Sequence, residues 1–110
     1  MYARIARFEN VESSRIDDQI AELRQAVEGT ASGNLPPDAP DGARVLMERV
    51  TRFVQLVDRE NGTFLGIAFC RTEDDLRRAD EALNEMSPGE GGGSRTSVEK
   101  YEVAIDQSFA

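Results

Sequence analysis

The side chains able to do chemistry in this chain are few in kind, and most are carboxylates and guanidinium groups. Histidine and tryptophan are absent, and cysteine occurs once, at Cys70. Without imidazole there is no His metal ligand, no His-based catalytic dyad and no usual axial ligand for haem iron. A zinc site would have to be assembled from Cys70 and carboxylates, a poor match to the donor sets zinc prefers. A lone cysteine excludes an intrachain disulfide. Its position at the end of an apolar run fits a small buried hydrophobe, the alternative being a reactive thiol. The acidic pairs Asp17-Asp18 and Asp74-Asp75 offer oxygens to a hard cation. Helical neighbours, however, point about 100° apart, and both pairs fall where a first helical turn is expected, so that meeting the helix dipole suffices. The run Gly89-Glu90-Gly91-Gly92-Gly93-Ser94 lacks the Lys-Ser/Thr pair of a phosphate-binding loop, holds a glutamate, and leads into a strand. It reads as a connector, with a lid over a pocket as its functional alternative. No Gly-x-Ser-x-Gly is present. Neither metal nor cofactor is expected.

Composition narrows the partners. The length of 110 residues predicts one domain, 1–110. With 21 acidic and 13 basic side chains the net charge is −8, and the arginines, from Arg4 and Arg7 to Arg78 and Arg95, are dispersed among acidic neighbours. Nucleic acid and anionic membrane are therefore not expected partners. No apolar run approaches the ~20 residues of a membrane span, and the first residues lack a signal-peptide pattern, which predicts a cytoplasmic protein.

The elements that must position the reactive groups follow from the hydrophobic pattern. Two apolar-rich runs within Phe53 to Phe69 flank a polar turn containing Asn61-Gly62. Asn tolerates and Gly freely adopts positive φ, so this is a β-hairpin. Tyr2 to Phe8 reads as a strand, with Ala3 and Ile5 on one face and Tyr2, Arg4, Ala6 and Phe8 on the other. A first helix is predicted from Ser13 or Ser14, where Ser14 and Asp17 have the form of a capping box. Ile16, Ile20, Leu23 and Val27 make its apolar stripe, and Gly29 its end. Thr30 to Gly42, with Pro36, Pro37 and Pro40, reads as a loop. Residues 43–57 are ambiguous, because Leu46, Val50, Phe53 and Val57 fit a helix while Val50, Val54 and Leu56 fit a strand. The hairpin's need for a partner assigns Thr51 to Asp58 to a strand, with a short helical turn before it, and leaves 43–50 open. Thr72 caps a second helix with Leu76, Ala79, Leu83 and Met86 as its buried stripe, ended by Ser87-Pro88-Gly89. Thr96 to Asp106 alternates as the last strand. The order is β-α-β-β-α-β.

Four stretches carry a family resemblance: Tyr2-Ala3-Arg4-Ile5-Ala6-Arg7-Phe8, Leu56-Val57-Asp58-Arg59-Glu60-Asn61-Gly62, Leu65 to Phe69 leading into Thr72-Glu73-Asp74-Asp75-Leu76, and Val98-Glu99-Lys100-Tyr101-Glu102-Val103. On these the whole chain resembles the dimeric α/β barrel superfamily, and within it the antibiotic-biosynthesis-monooxygenase-like (ABM-like) domains of bacteria. The resemblance implies an α+β, ferredoxin-like domain with a four-stranded antiparallel sheet, two of which pair as a dimeric α/β barrel. Helices then lie outside, with a pocket in each subunit between sheet and helices. The residues agree with a homodimer. Leu65, Ile67 and Phe69 fall on one side of their strand and Phe64, Ala68 and Cys70 on the other, while two helices cover one face only. The alternative is a monomer with an apolar exposed sheet.

The superfamily places quinol-forming oxygenases, haem-degrading enzymes, isomerases and proteins of no known activity on one frame. Missing His and Trp count against the haem-degrading branch. What the resemblance leaves for an enzyme is a cofactor-independent monooxygenase acting on a small aromatic or quinol-type substrate, which needs a dry pocket, a hydrogen-bond acceptor and groups that stabilise an enolate. On that reading Arg4 and Arg52 stabilise the anion, and Tyr101 and Tyr2 form hydrogen-bonding walls. Asn10 is a polar group at the strand end, and Phe8, Phe53 and Phe69 line the pocket. Each has a plainer assignment: the arginines pair with Glu99 or Glu102 across the sheet, and the aromatics are core. Two further readings stand beside the enzyme: a non-catalytic module holding a small apolar ligand, and a structural dimer with a filled barrel. One or two isolated polar groups in a pocket favour the enzyme, and an all-apolar pocket favours the carrier.

Overall fold

The computed structural model describes residues 1–35, 37, 39, 41–86 and 91–110. Strand β1 (Tyr2–Glu9) is followed by a 3-10 turn at Ser13–Arg15 that runs into α1 (Ile16–Ala31). Then come α2 (Asp41–Arg49), β2 (Val50–Asp58), β3 (Thr63–Cys70), α3 (Glu73–Asn84) and β4 (Ser94–Glu102). The strands form one antiparallel sheet in the order β2-β3-β1-β4.

The hairpin lies where its sequence places it, and its turn works through two devices. The Asp58 carboxylate accepts from the Asn61 backbone N–H at 3.1 Å and from Asn61 Nδ2 at 2.8 Å. The bond from the Asn61 side chain, then that from its backbone, holds Asp58 below the usual carboxylate range. Positive φ falls on Gly62 (64°) and not on Asn61; Asn10 (60°) is the one non-glycine with positive φ among the described residues. The Gly62 carbonyl accepts from the Val11 N–H at 3.0 Å, and a Cβ on Gly62 would sit 2.8 Å from the Val11 oxygen. The turn is thereby stitched to the segment leaving β1, at a contact that admits only glycine.

Several boundaries differ from expectation, each for a local reason. The Ser14 capping box does not form: Ser13–Arg15 is wound as a 3-10 turn, so α1 starts at Ile16 with Arg15 as N-cap and no side-chain cap. Asp17 and Asp18 still occupy the first turn. The helix passes Gly29 and stops at Ala31. Its last carbonyls are met by Ser32 N–H on Glu28 (3.0 Å) and Asn34 N–H on Gly29 (2.9 Å), and Gly33 takes the left-handed conformation at φ 78°. Residues 43–49 are helical and Val50 begins the strand. Here α2 is held to α3 by Arg49 Nη1 on Asp75 Oδ1 at 2.7 Å. Thr72 caps α3 as expected, its Oγ1 accepting from Asp75 N–H at 3.0 Å. The last strand ends at Glu102 and not Asp106, because its partner β1 begins at Tyr2, opposite Glu102. Pro36, Pro40 and the expected stop Ser87-Pro88-Gly89 lie outside the described residues.

The register sorts the sheet into two unlike faces. One carries the cross-strand rows Arg52–Phe69–Ala3–Tyr101, Val54–Ile67–Ile5–Glu99 and Leu56–Leu65–Arg7–Ser97. The other carries Phe53–Ala68–Arg4–Lys100, Gln55–Gly66–Ala6–Val98 and Val57–Phe64–Phe8–Arg95. All three helices lie over the second. Its core has two centres: Val11, Ile16 and Phe64 with Phe8, Ile20 and Val57, and Cys70, Leu76 and Ala79 with Tyr2, Leu46 and Val50. The first face has no helix on it, and Leu56 and Tyr101 stay half exposed there. Among the described residues, no helix is long and apolar enough to cross a membrane.

Candidate functional site

The helices do not close down on the sheet. Along the middle of the covered face the cross-strand pair Ala6–Gly66, with Ala68 beside it, puts small residues where large ones would fill the gap. The result is a cavity of about 710 Å³ between the sheet and α1, α2 and α3. Phe8, Phe53 and Phe64 project from its floor, Leu23 and Val27 from α1, Leu46 and Met47 from α2, and Leu83 from α3. The Phe53 ring lies over Gly66, 3.4 Å from the place a Cβ would take.

Polar groups interrupt this apolar wall at a few points. Arg4 lines the cavity and is 3% exposed. Its Nε donates to Asp80 Oδ1 and its Nη2 to Asn84 Oδ1, both at 2.8 Å. Lys100 Nζ reaches the other Asp80 oxygen at 3.3 Å. Burial pushes the Asp80 carboxyl upward, but the hydrogen bonds from Arg4 and Lys100 outweigh it and leave the group below its ordinary value. Gln19 is buried on α1 and Gln55 half buried on β2, both facing the same space. At the end of α3, Arg95 donates to the carbonyls of Leu83 (3.2 Å), Asn84 (3.1 Å) and Met86 (3.3 Å), satisfying acceptors the helix leaves open.

The residues singled out from sequence are distributed over both faces. Arg4, Phe8 and Phe53 line the cavity. Arg4 pairs with Asp80 of α3 rather than with Glu99 or Glu102, because its strand position turns it toward the helices. Arg52 borders the cavity at the irregularity between Val50 and Arg52, yet its guanidinium stacks over the Phe69 ring on the open face, 5.7 Å from the centroid. Tyr101 is also on the open face, its hydroxyl donating to Glu99. Tyr2 and Tyr101 border a separate, charged hollow of about 570 Å³ beside the start of α3. Asn10 is exposed beyond β1. The proposed trio Arg4, Arg52 and Tyr101 is therefore not gathered around one point. Cys70 is fully buried, and burial, with the Asp75 charge second, raises its thiol pKa.

Gln19, Gln55, Asp80 and Asn84 are not among the residues that the sequence singles out. A signal existed for the first two, since Gln19 interrupts the apolar stripe of α1 and Gln55 shares the strand face of Phe53 and Val57. Asp80 and Asn84 resemble any polar residues on a helix and had none. Among the described residues, no group of three or more Cys, Asp or Glu side chains is arranged to hold a metal ion.

No family model and no curated protein matches the chain. Among solved structures it is similar to a dimeric ferredoxin-like protein from an uncultured marine organism. The TM-score is 0.61 at 8% identity, over 98% of this chain and 98% of that one. A second solved structure, Rv0793 from Mycobacterium tuberculosis, superposes with a TM-score of 0.49 at 15% identity, over 97% and 98% of the two chains. The fold is ferredoxin-like: an α+β domain with a four-stranded antiparallel sheet.

Proposed function

We propose that this chain is a single-domain ligand-binding protein that pairs as a homodimeric α/β barrel and holds one small apolar or aromatic molecule in each subunit. The observation that carries the reading is the cavity of about 710 Å³ between sheet and helices, apolar over most of its wall. It lies within the roughly 300–1,000 Å³ of small-molecule sites. Gln55 supplies a hydrogen bond that orients an oxygen-bearing ligand, while the phenylalanines supply its area. The dimer reading is supported by the uncovered sheet face, where Ile5, Val54, Leu56, Leu65, Ile67 and Phe69 lie together. It also agrees with the state named for the marine ferredoxin-like protein. Placement among ABM-like domains rests on the four sequence stretches.

A second reading, the cofactor-independent monooxygenase, is favoured by one feature. Arg4 places a buried cation at the cavity wall, where it would stabilise a phenolate or enolate. Tyr101 lies on the opposite face, while Arg52 borders the cavity with its guanidinium over the Phe69 ring.

Native mass spectrometry of freshly purified protein, followed by titration with 2-naphthol, tests the primary reading. Expected are a dimer and saturable binding, lost in Ala6→Leu, which fills the cavity floor. A dimer that binds no naphthol, or that binds it equally well in Ala6→Leu, overturns the ligand site. Oxygen uptake with a naphthoquinol above the uncatalysed rate, abolished by the same substitution, decides for the enzyme.

A further inference from the structure

Arg4 is only partly used by its neighbours. Its Nε and Nη2 donate to Asp80 and Asn84, whereas Nη1, which carries two N–H donors, donates to no group among the described residues. Every fully enclosed side-chain nitrogen and oxygen among those residues has a hydrogen-bond partner. Nη1 has none, so it is not enclosed by protein and opens onto free space. Arg4 as a whole is 3% exposed and lines the cavity between sheet and helices, which makes the cavity that space.

The distribution of charge points the same way. Asp80 is shared between Arg4 and Lys100, so two cations draw on one carboxylate and the cluster keeps an excess of positive charge. Its Lys100 end is half exposed and solvated, while its Arg4 end meets an apolar wall. The other charged side chains bordering the cavity, among the described residues, are Arg52, Arg95 and Glu22. Arg95 donates to backbone carbonyls, and Glu22 is exposed and already accepts from Arg15 Nη2 at 3.4 Å. A chain of net charge −8 thus gathers cations around its cavity. A spare guanidinium donor in apolar surroundings favours a negatively charged oxygen, because low dielectric strengthens the attraction. One such atom serves one anionic group, and the leucine, valine and phenylalanine side chains around it would penalise a second. We infer that the cavity takes a monocarboxylate with an apolar or aromatic body, its carboxylate accepting from Arg4 Nη1. The inference rests on the ligand-binding reading above and adds to it the charge of the ligand and the atom that reads that charge.

The test is calorimetric titration of the unmodified protein at neutral pH with 2-naphthoate, with 2-naphthamide, which has the same shape without the charge, and with 2-naphthol. The carboxylate should bind about tenfold more tightly than the amide, or better. Arg4→Lys keeps a cation for Asp80 but lacks the forked donor; it should lose most of that preference and still bind 2-naphthol. In carbon-detected NMR spectra of unmodified protein with labelled arginine, 2-naphthoate should shift the Arg4 side-chain nitrogens and leave those of Arg52 and Arg95 in place, a readout that does not depend on the variant folding. A protein that binds none of the three compounds overturns the ligand site and this inference with it. Affinity for the carboxylate equal to or below that for the amide, a preference that survives in Arg4→Lys, or a shift confined to Arg52 or Arg95 overturns the carboxylate reading alone.

Discussion

Asp80→Asn tests the buried polar centre beneath the cavity. In the folded chain Arg4 Nε meets Asp80 Oδ1 at 2.8 Å, with side chains only 4% and 13% exposed. The substitution keeps the shape and removes the charge, so the Arg4 cation remains buried with two neutral amides, the introduced one and that of Asn84. Breaking a buried ion pair by removing one partner costs roughly 3–5 kcal/mol. The residual exposure of Asp80 and the retained Asn84 acceptor place this change near the lower end, about 3 kcal/mol, which for a domain of this size lowers Tm by about 12 °C. Urea unfolding of both proteins at neutral pH reads the difference directly. Its pH dependence is a second check. The folded Asp80 carboxyl binds its proton less readily than the unfolded one, whose ordinary value is 3.8. The stabilisation is therefore complete above that value and is lost as pH falls through the lower, folded one. The gap between wild type and Asp80→Asn should be widest near neutrality, narrow once the pH drops below 3.8, and close in stronger acid. A variant within about 1 kcal/mol of wild type at neutral pH, or a gap that persists in acid, would refute the reasoning that the pair is a buried charge pair.

Three further outcomes follow from single contacts. Thr72→Ala removes the N-cap of α3 and should cost about 1 kcal/mol in urea unfolding, with Thr72→Ser restoring most of it. Gly93→Ala forces a side chain onto a residue at φ 77°, with the new Cβ overlapping the Glu9 carbonyl oxygen. It should destabilise by more than about 2 kcal/mol, whereas Gly29→Ala, whose Cβ would lie 3.8 Å from its nearest neighbour, should be neutral or stabilising. Cys70, fully buried with a raised thiol pKa, should resist Ellman's reagent in the native protein and react at once in denaturing urea; rapid native labelling would contradict that burial.

The layout of the fold was legible in local sequence. Alternation in Tyr2 to Phe8, the Asn61-Gly62 turn between apolar runs, and the Thr72 cap before acidic residues are signals that the backbone reads within a few residues. All three elements form where those signals lie. Local signals were weaker at boundaries decided by distant partners. The strand β4 stops at Glu102 because β1 begins at Tyr2, and residues 43–49 become helix where α2 meets α3 through Arg49 and Asp75. The candidate site depended most on tertiary structure. That Arg4 faces the helices follows from its parity in β1, but its partners Asp80 and Asn84 are some eighty residues away and carry no motif. That Arg52, Phe69 and Tyr101 share the opposite face follows only from register, since one-residue alternation sends neighbours to opposite sides of the sheet. The cavity is likewise a property of the assembled layers. Ala6, Gly66 and Ala68 are unremarkable along the chain, and leave a space only when antiparallel pairing sets them side by side beneath the helices.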